Sequence, residues 1–114
     1  MSDRISDVEF QKRSEQIIGE LERAFGELAE ERDIDVQVEA GVLTVSFEEG
    51  EPGRFIVSPN SSVRQLWVSA RMGSYKFDWV DETRGFVLAG KDEALKQVLT
   101  RLTREQLGDS ELSL

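Results

Sequence analysis

The sequence predicts an α+β fold: a two-layer α/β sandwich with two helices packed on one face of a five- or six-stranded antiparallel sheet. Three observations carry this. Apolar residues recur at helical spacing near both ends of the chain and with a period of two between them. Connections between the period-two segments are short, which suits hairpins and excludes parallel crossovers. Each terminal helix has one apolar stripe, so the economical packing lays both on the same sheet face.

A first helix is predicted from Asp7 to Glu31. Phe10, Ile17, Leu21, Ala24 and Leu28 form its stripe, and Ile18 and Phe25 widen it. Ser6 or Asp7 suits the N-cap. Gly19 and Gly26 fall on the outer face, each weakening the helix by about 1 kcal/mol relative to Ala. Strands follow at about 34–39, 42–47, 54–57, 63–71, 74–80 and 86–88. Ile34, Val36 and Val38 point inward on the first, with Asp35, Gln37 and Glu39 outward. Ala40-Gly41 turns the chain into a second strand with Leu43, Val45 and Phe47 inward. Glu48–Gly53 and Ser58–Ser62 read as loops. On the next strand Leu66, Val68 and Ala70 share one side, leaving Trp67 as a large aromatic on the other. Tyr75, Phe77 and Trp79 share a face that caps the core. A second helix spans about 92–107, with Asp92 as its cap, Leu95, Val98, Leu99 and Leu102 as its stripe and Gly108 at its end. Leu112 and Leu114 are expected to tuck back over the helices. Residues 1–114 make one domain, of a size for a single core.

Composition removes most catalytic schemes. With no Cys and no His, there is no disulfide, thiolate, imidazole ligand or Ser-His-Asp arrangement. Any metal site must be built from oxygen ligands, which suits Mg, Ca, Mn or iron. No apolar run approaches the roughly 20 residues needed to span a bilayer, and the N-terminus lacks the features of a signal or transit peptide. A net charge of −9 argues against nucleic acid and anionic lipid as partners. Residues 1–39 hold 12 Asp and Glu against 5 Lys and Arg, whereas residues 40–114 hold 11 against 9. The acidity therefore belongs to one end of the chain.

On the first helix Glu20, Glu27 and Glu31 line one flank of the stripe and Glu15 and Glu22 the other, with Glu30 and Asp33 extending the charge. Two readings stand. The acids form a solvated face, or they gather a hard cation whose binding relieves their mutual repulsion. Arg23 and Arg32 are too few to pair them. Around Trp67, the basic residues Arg64, Arg71 and Lys76 suggest an aromatic and basic docking patch. No two carboxylates are placed in an apolar pocket, and no glycine-rich loop has phosphate-binding spacing, so hydrolase and nucleotide chemistry are unsupported.

Three elements resemble the frataxin family, including its bacterial CyaY-type members. They are Gly41–Gly50, Gln65-Leu66-Trp67-Val68-Ser69 and Tyr75-Lys76-Phe77-Asp78-Trp79. Asp7-Val8-Glu9-Phe10 and Asp33-Ile34-Asp35 resemble its helix start and first strand. The resemblance covers nearly the whole chain and implies the same sandwich. It also implies weak, exchangeable binding of iron (Fe2+ or Fe3+) by an acidic ridge. Carried over residue by residue, the metal ligands are Asp7, Glu15, Glu22, Glu27, Glu31, Asp33 and Asp35. Docking to a cysteine desulfurase and an iron–sulfur scaffold protein is implied for the ridge and for the sheet face of Gln65 and Trp67, with Arg64 and Ser69 beside them. Arg23, Gly26 and Ala29 stand where family members often carry acids, Gln11 where some carry His, and Ser58 and Ser62 where Asn and Pro are common.

The expected role is an iron-binding accessory protein of iron–sulfur cluster assembly. The alternative is a regulator of desulfurase activity for which metal binding is incidental. Ferroxidase activity follows only from family analogy. The chain is expected to be a cytoplasmic monomer, with an iron-dependent oligomer as an alternative state, or a mitochondrial matrix protein if it is a processed eukaryotic chain.

Overall fold

A computed structural model describes residues 5–50, 52–71 and 73–114. Helix α1 (Asp7–Leu28) is followed by strands β1 (Ile34–Glu39), β2 (Val42–Phe47), β3 (Gly53–Asn60), β4 (Gln65–Ala70), β5 (Gly73–Val80) and β6 (Gly85–Leu88), then by helix α2 (Leu95–Leu107). All six strands join in one antiparallel meander in chain order, β1 and β6 at its edges.

Ser6 caps α1, its hydroxyl accepting from the Glu9 N–H at 3.2 Å. The helix stops three residues short of Glu31. There the Glu30 and Glu31 N–H groups bond carbonyls only three residues back, on Glu27 and Leu28. The last turn carries no basic residue. Acids Glu27, Glu30 and Glu31 meet the negative end of the helix dipole instead, so continuing the helix is unfavourable.

The core comes from one face of the sheet and one stripe of each helix. Phe10, Leu21 and Phe25 of α1 meet Leu43, Phe47, Phe55, Leu66 and Phe77 of the sheet and Val98 and Leu99 of α2, all at most 2% exposed. Each such side chain contributes about 1.5–3 kcal/mol. Tyr75 and Trp79 pack half-buried beside Phe77, and Leu112 and Leu114 fold back onto the core as expected.

Several element bounds differ from the sequence reading. Strand β3 continues through Ser58-Pro59-Asn60, expected as a loop, because these residues pair with Trp67, Leu66 and Gln65. Proline is tolerated there, near the strand end. The turn is thereby compressed, and Arg64, expected inside β4, sits in it with φ +53°. Arg71 likewise leaves β4 with φ +47°. Helix α2 begins at Leu95, and Asp92 does not cap it. Ala94 occupies the N-cap, its N–H bonded to Gln97 Oε1 at 2.9 Å. The preceding residues are committed to the sheet: Val87 bridges Ala94, and the Leu88 N–H bonds the Glu93 carbonyl. Gly108 ends the helix at φ +64°, a conformation that favours glycine.

Candidate metal and docking sites

Side chains opposite one another in antiparallel register point to the same side of the sheet. Asp35 pairs with Ser46, Ser46 with Arg54, Ile56 with Ser69 and Ser58 with Trp67. Asp35 and Trp67 therefore share the sheet face opposite the helices, and the acids of α1 lie in the other layer. The predicted ligands thus approach one another only around the β1 edge. Among the described residues, no three acidic side chains converge into a ready-made metal site.

Each predicted ligand has its own surroundings. Glu15 and Glu22 line one groove between α1 and the β1–β2 turn. Glu27 and Glu31 are exposed and, like Glu15 and Glu22, have no ion pair among the described residues. The Asp35 carboxylate accepts from the Gln37 amide at 3.0 Å. Asp33 is exposed, and its backbone N–H donates to Glu49 Oε1 at 3.2 Å. Asp7 is engaged: Arg64 Nε donates to its Oδ1 at 2.7 Å. A residue predicted for metal and one predicted for docking are thus partners.

Arg32 is withdrawn from the ridge. It meets Glu49 through Nε and Nη2 at 2.5–3.1 Å and Asp109 through Nη1 at 3.1 Å. This joins the α1–β1 turn to the β2–β3 loop and to the C-terminal segment. The hydrogen bonds from Arg32, then that from the Asp33 N–H, hold the Glu49 carboxyl below the usual glutamate range. The Glu49 hydrogen bond in turn raises the Arg32 pKa.

The sheet face around Trp67 is differently built. Trp67 Nε1 donates to Gln65 Oε1 at 3.1 Å, and Gln65 Nε2 donates to Asp78 Oδ1 at 3.0 Å. Lys76, directly across from Trp67, places its Nζ 4.8 Å from the ring centroid. Ser69 is exposed at the rim, opposite Ser74. Arg71, expected in this patch, turns away to Gln106 at 2.9 Å and Glu105 at 3.7 Å on α2. Sequence reasoning missed Asp78, Glu49 and Asp109. The period of β5 marks Asp78 as outward, but only the register sets it against Gln65. Glu49 and Asp109 carry no local signal, because their partner lies 17 and 77 residues away.

Among the described residues, only Ser14, Thr103 and Gln106 are buried polar side chains. No described carboxylate is among the buried residues. The molecule is a two-layer α/β sandwich whose charged chemistry lies on its surface. The frataxin-like domain model matches residues 3–109, and the chain belongs to the frataxin-like family, in its bacterial CyaY type. It is 34% identical over 99 residues to the iron-sulfur cluster assembly protein CyaY of Azotobacter vinelandii, covering 85% of this chain and 88% of that one. With the iron-sulfur cluster assembly protein CyaY of Ectopseudomonas mendocina it shares 44% identity over 77 residues, 67% of each chain. The frataxin of Psychromonas ingrahamii has the same fold, with a TM-score of 0.79 over 96% of each chain at 17% identity.

Proposed function

We propose that this protein is an accessory of iron–sulfur cluster assembly that holds iron on its acidic edge and docks to a cysteine desulfurase and scaffold complex. The observation that carries this reading is the row of exposed carboxylates along α1 and into β1 that lack cation partners among the described residues. Such oxygen donors fit a hard cation. Because they are spread rather than caged, the ion is cargo, held weakly and released. Glu15, Glu22, Glu27, Glu31, Asp33 and Asp35 are its ligands in this reading. Asp7 joins them only when Arg64 lets go. Gln65, Trp67 and Ser69 make the docking face, and the protein acts in the cytoplasm.

The test is calorimetric. A variant with Glu22, Glu27 and Glu31 changed to Gln and Asp33 and Asp35 to Asn is expected to lose Fe(II) binding. If that variant still modulates a cysteine desulfurase as the wild type does, iron delivery is the wrong account. The second reading, a regulator of the desulfurase, then stands. That reading draws on the Trp67 patch, which is held in place by its own hydrogen bonds and needs no metal.

A further inference from the structure

Between the N-terminal half of α1 and the β1–β2 turn lies a groove of about 540 Å3. Sites that take small organic ligands span about 300–1,000 Å3. Phe10, Ile18 and Val38 give this groove an apolar lining. Val38 is 36% exposed although its strand period turns it toward the helix layer, because among the described residues no side chain covers this end of β1. Gly19 lies on the helix side of the groove, partly buried rather than on the outer face expected of it, and a Cβ there would meet nothing within 4 Å.

Its carboxylates make the groove more than an apolar gap. Glu15 and Glu22 stand along it two helical turns apart, about 10 Å along the axis. Among the described residues neither pairs with a cation and none of the groove's lining is Lys or Arg.

We propose that this groove binds a small organic cation: a primary ammonium or guanidinium on an aryl or branched-alkyl body. The cation sits between the Glu15 and Glu22 carboxylates, and the body lies along the apolar lining against the exposed Val38. Negative lining excludes a carboxylate or phosphate. A bare metal ion has no use for the apolar surface. The inference goes beyond the iron reading and shares only Glu15 and Glu22 with it.

The experiment titrates the 15N-labelled full chain with 2-phenylethylammonium chloride and maps amide shifts. Phenylacetate supplies the body with the opposite charge, and ethylammonium supplies the charge with little body. Saturable shifts confined to residues 10–22, 38–41 and 59–61 are expected, with both controls at least about tenfold weaker. Gly19→Leu fills the groove with a better helix former and is expected to weaken the amine at least about tenfold while leaving Fe(II) binding intact. Val38→Lys, at an exposed position, places an ammonium in the groove and is expected to weaken the amine at least about tenfold as well. Glu15→Gln and Glu22→Gln are each expected to cost up to about fivefold. The proposal is overturned by shifts spread over all the acidic surfaces, by ethylammonium binding as well as the aryl amine, or by wild-type amine affinity in both groove variants. Binding of a Lys- or Arg-containing apolar peptide without the free amine also overturns it, assigning the groove to a protein partner. Because Gly19→Leu removes no carboxylate, loss of amine binding with iron intact, or the reverse, tells the two readings apart.

Discussion

The acidic edge and the Trp67 face are built on opposite principles. Around Trp67 the central polar groups are linked: indole to Gln65, Gln65 to Asp78, ammonium over the ring. On α1 and β1 the carboxylates mostly face water, and those that are engaged are Asp7 with Arg64, Glu9 with Arg13 and Asp35 with Gln37. A preorganised aromatic patch suits recognition of a fixed protein shape, since little side-chain entropy remains to be lost. Loose carboxylates suit an ion that arrives, is gathered and leaves. The difference lies in rigidity as much as in charge.

That contrast can be broken in graded ways. The largest effect is expected from the five-acid variant already described, whose Fe(II) heat should vanish while its affinity for the assembly complex falls less steeply. Its thermal midpoint should rise, because like charges along a helix repel by a few tenths of a kcal/mol per pair. A drop in midpoint would show that the acids support the fold. Next in size is Trp67→Ala, for which binding measurements should show a loss of about 2 kcal/mol in affinity for the desulfurase–scaffold complex, with Fe(II) binding unchanged. Full retention of affinity would remove the sheet face from the docking site. Lys76→Met should cost less, about 0.5–1 kcal/mol, and shift the tryptophan emission, because it removes only the cation over the ring.

Smaller effects test the ties between regions. The Glu49 carboxyl is held low in the folded state, so its contribution to stability is complete above the usual glutamate range and is lost as pH falls through the depressed value. Denaturant melts of wild type and Glu49→Gln should therefore differ at pH 7 and converge below about pH 4. The smallest change is expected for Arg64→Ala. Its exposed pair with Asp7 is worth at most about 1 kcal/mol, so stability should barely move. Fe(II) affinity should rise slightly as Asp7 is released. No gain would exclude Asp7 from the ligand set.

Much of this was legible in one dimension. Ser6 at the N-cap, Gly108 at the C-cap, the alternation of Leu43, Val45 and Phe47, and the folded-back Leu112 all obey local chemistry or strict period. The misread positions share a cause. Ser58-Pro59-Asn60 reads as a turn by composition, but pairing with β4 extends the strand through it. Asp92 looks like a cap, but the β6–α2 bridge holds the chain extended for two more residues. Val38 obeys its period and still faces solvent, because period reports direction and not whether a helix covers that end of the strand.

For the sites, residue types and side were readable while partnership was not. The absence of His and Cys, the surplus of acids in residues 1–39 and the outward Trp67 are properties of the sequence by itself, and they determined that any metal chemistry here uses oxygen donors. Tertiary structure alone decided which acids remain free. It brought Arg64 to Asp7 across 57 residues, Arg32 to Asp109 across 77, and Lys76 over Trp67 by register. The physical reason is range: caps and periods act within a few residues, whereas an ion pair depends on where the whole fold brings its two ends.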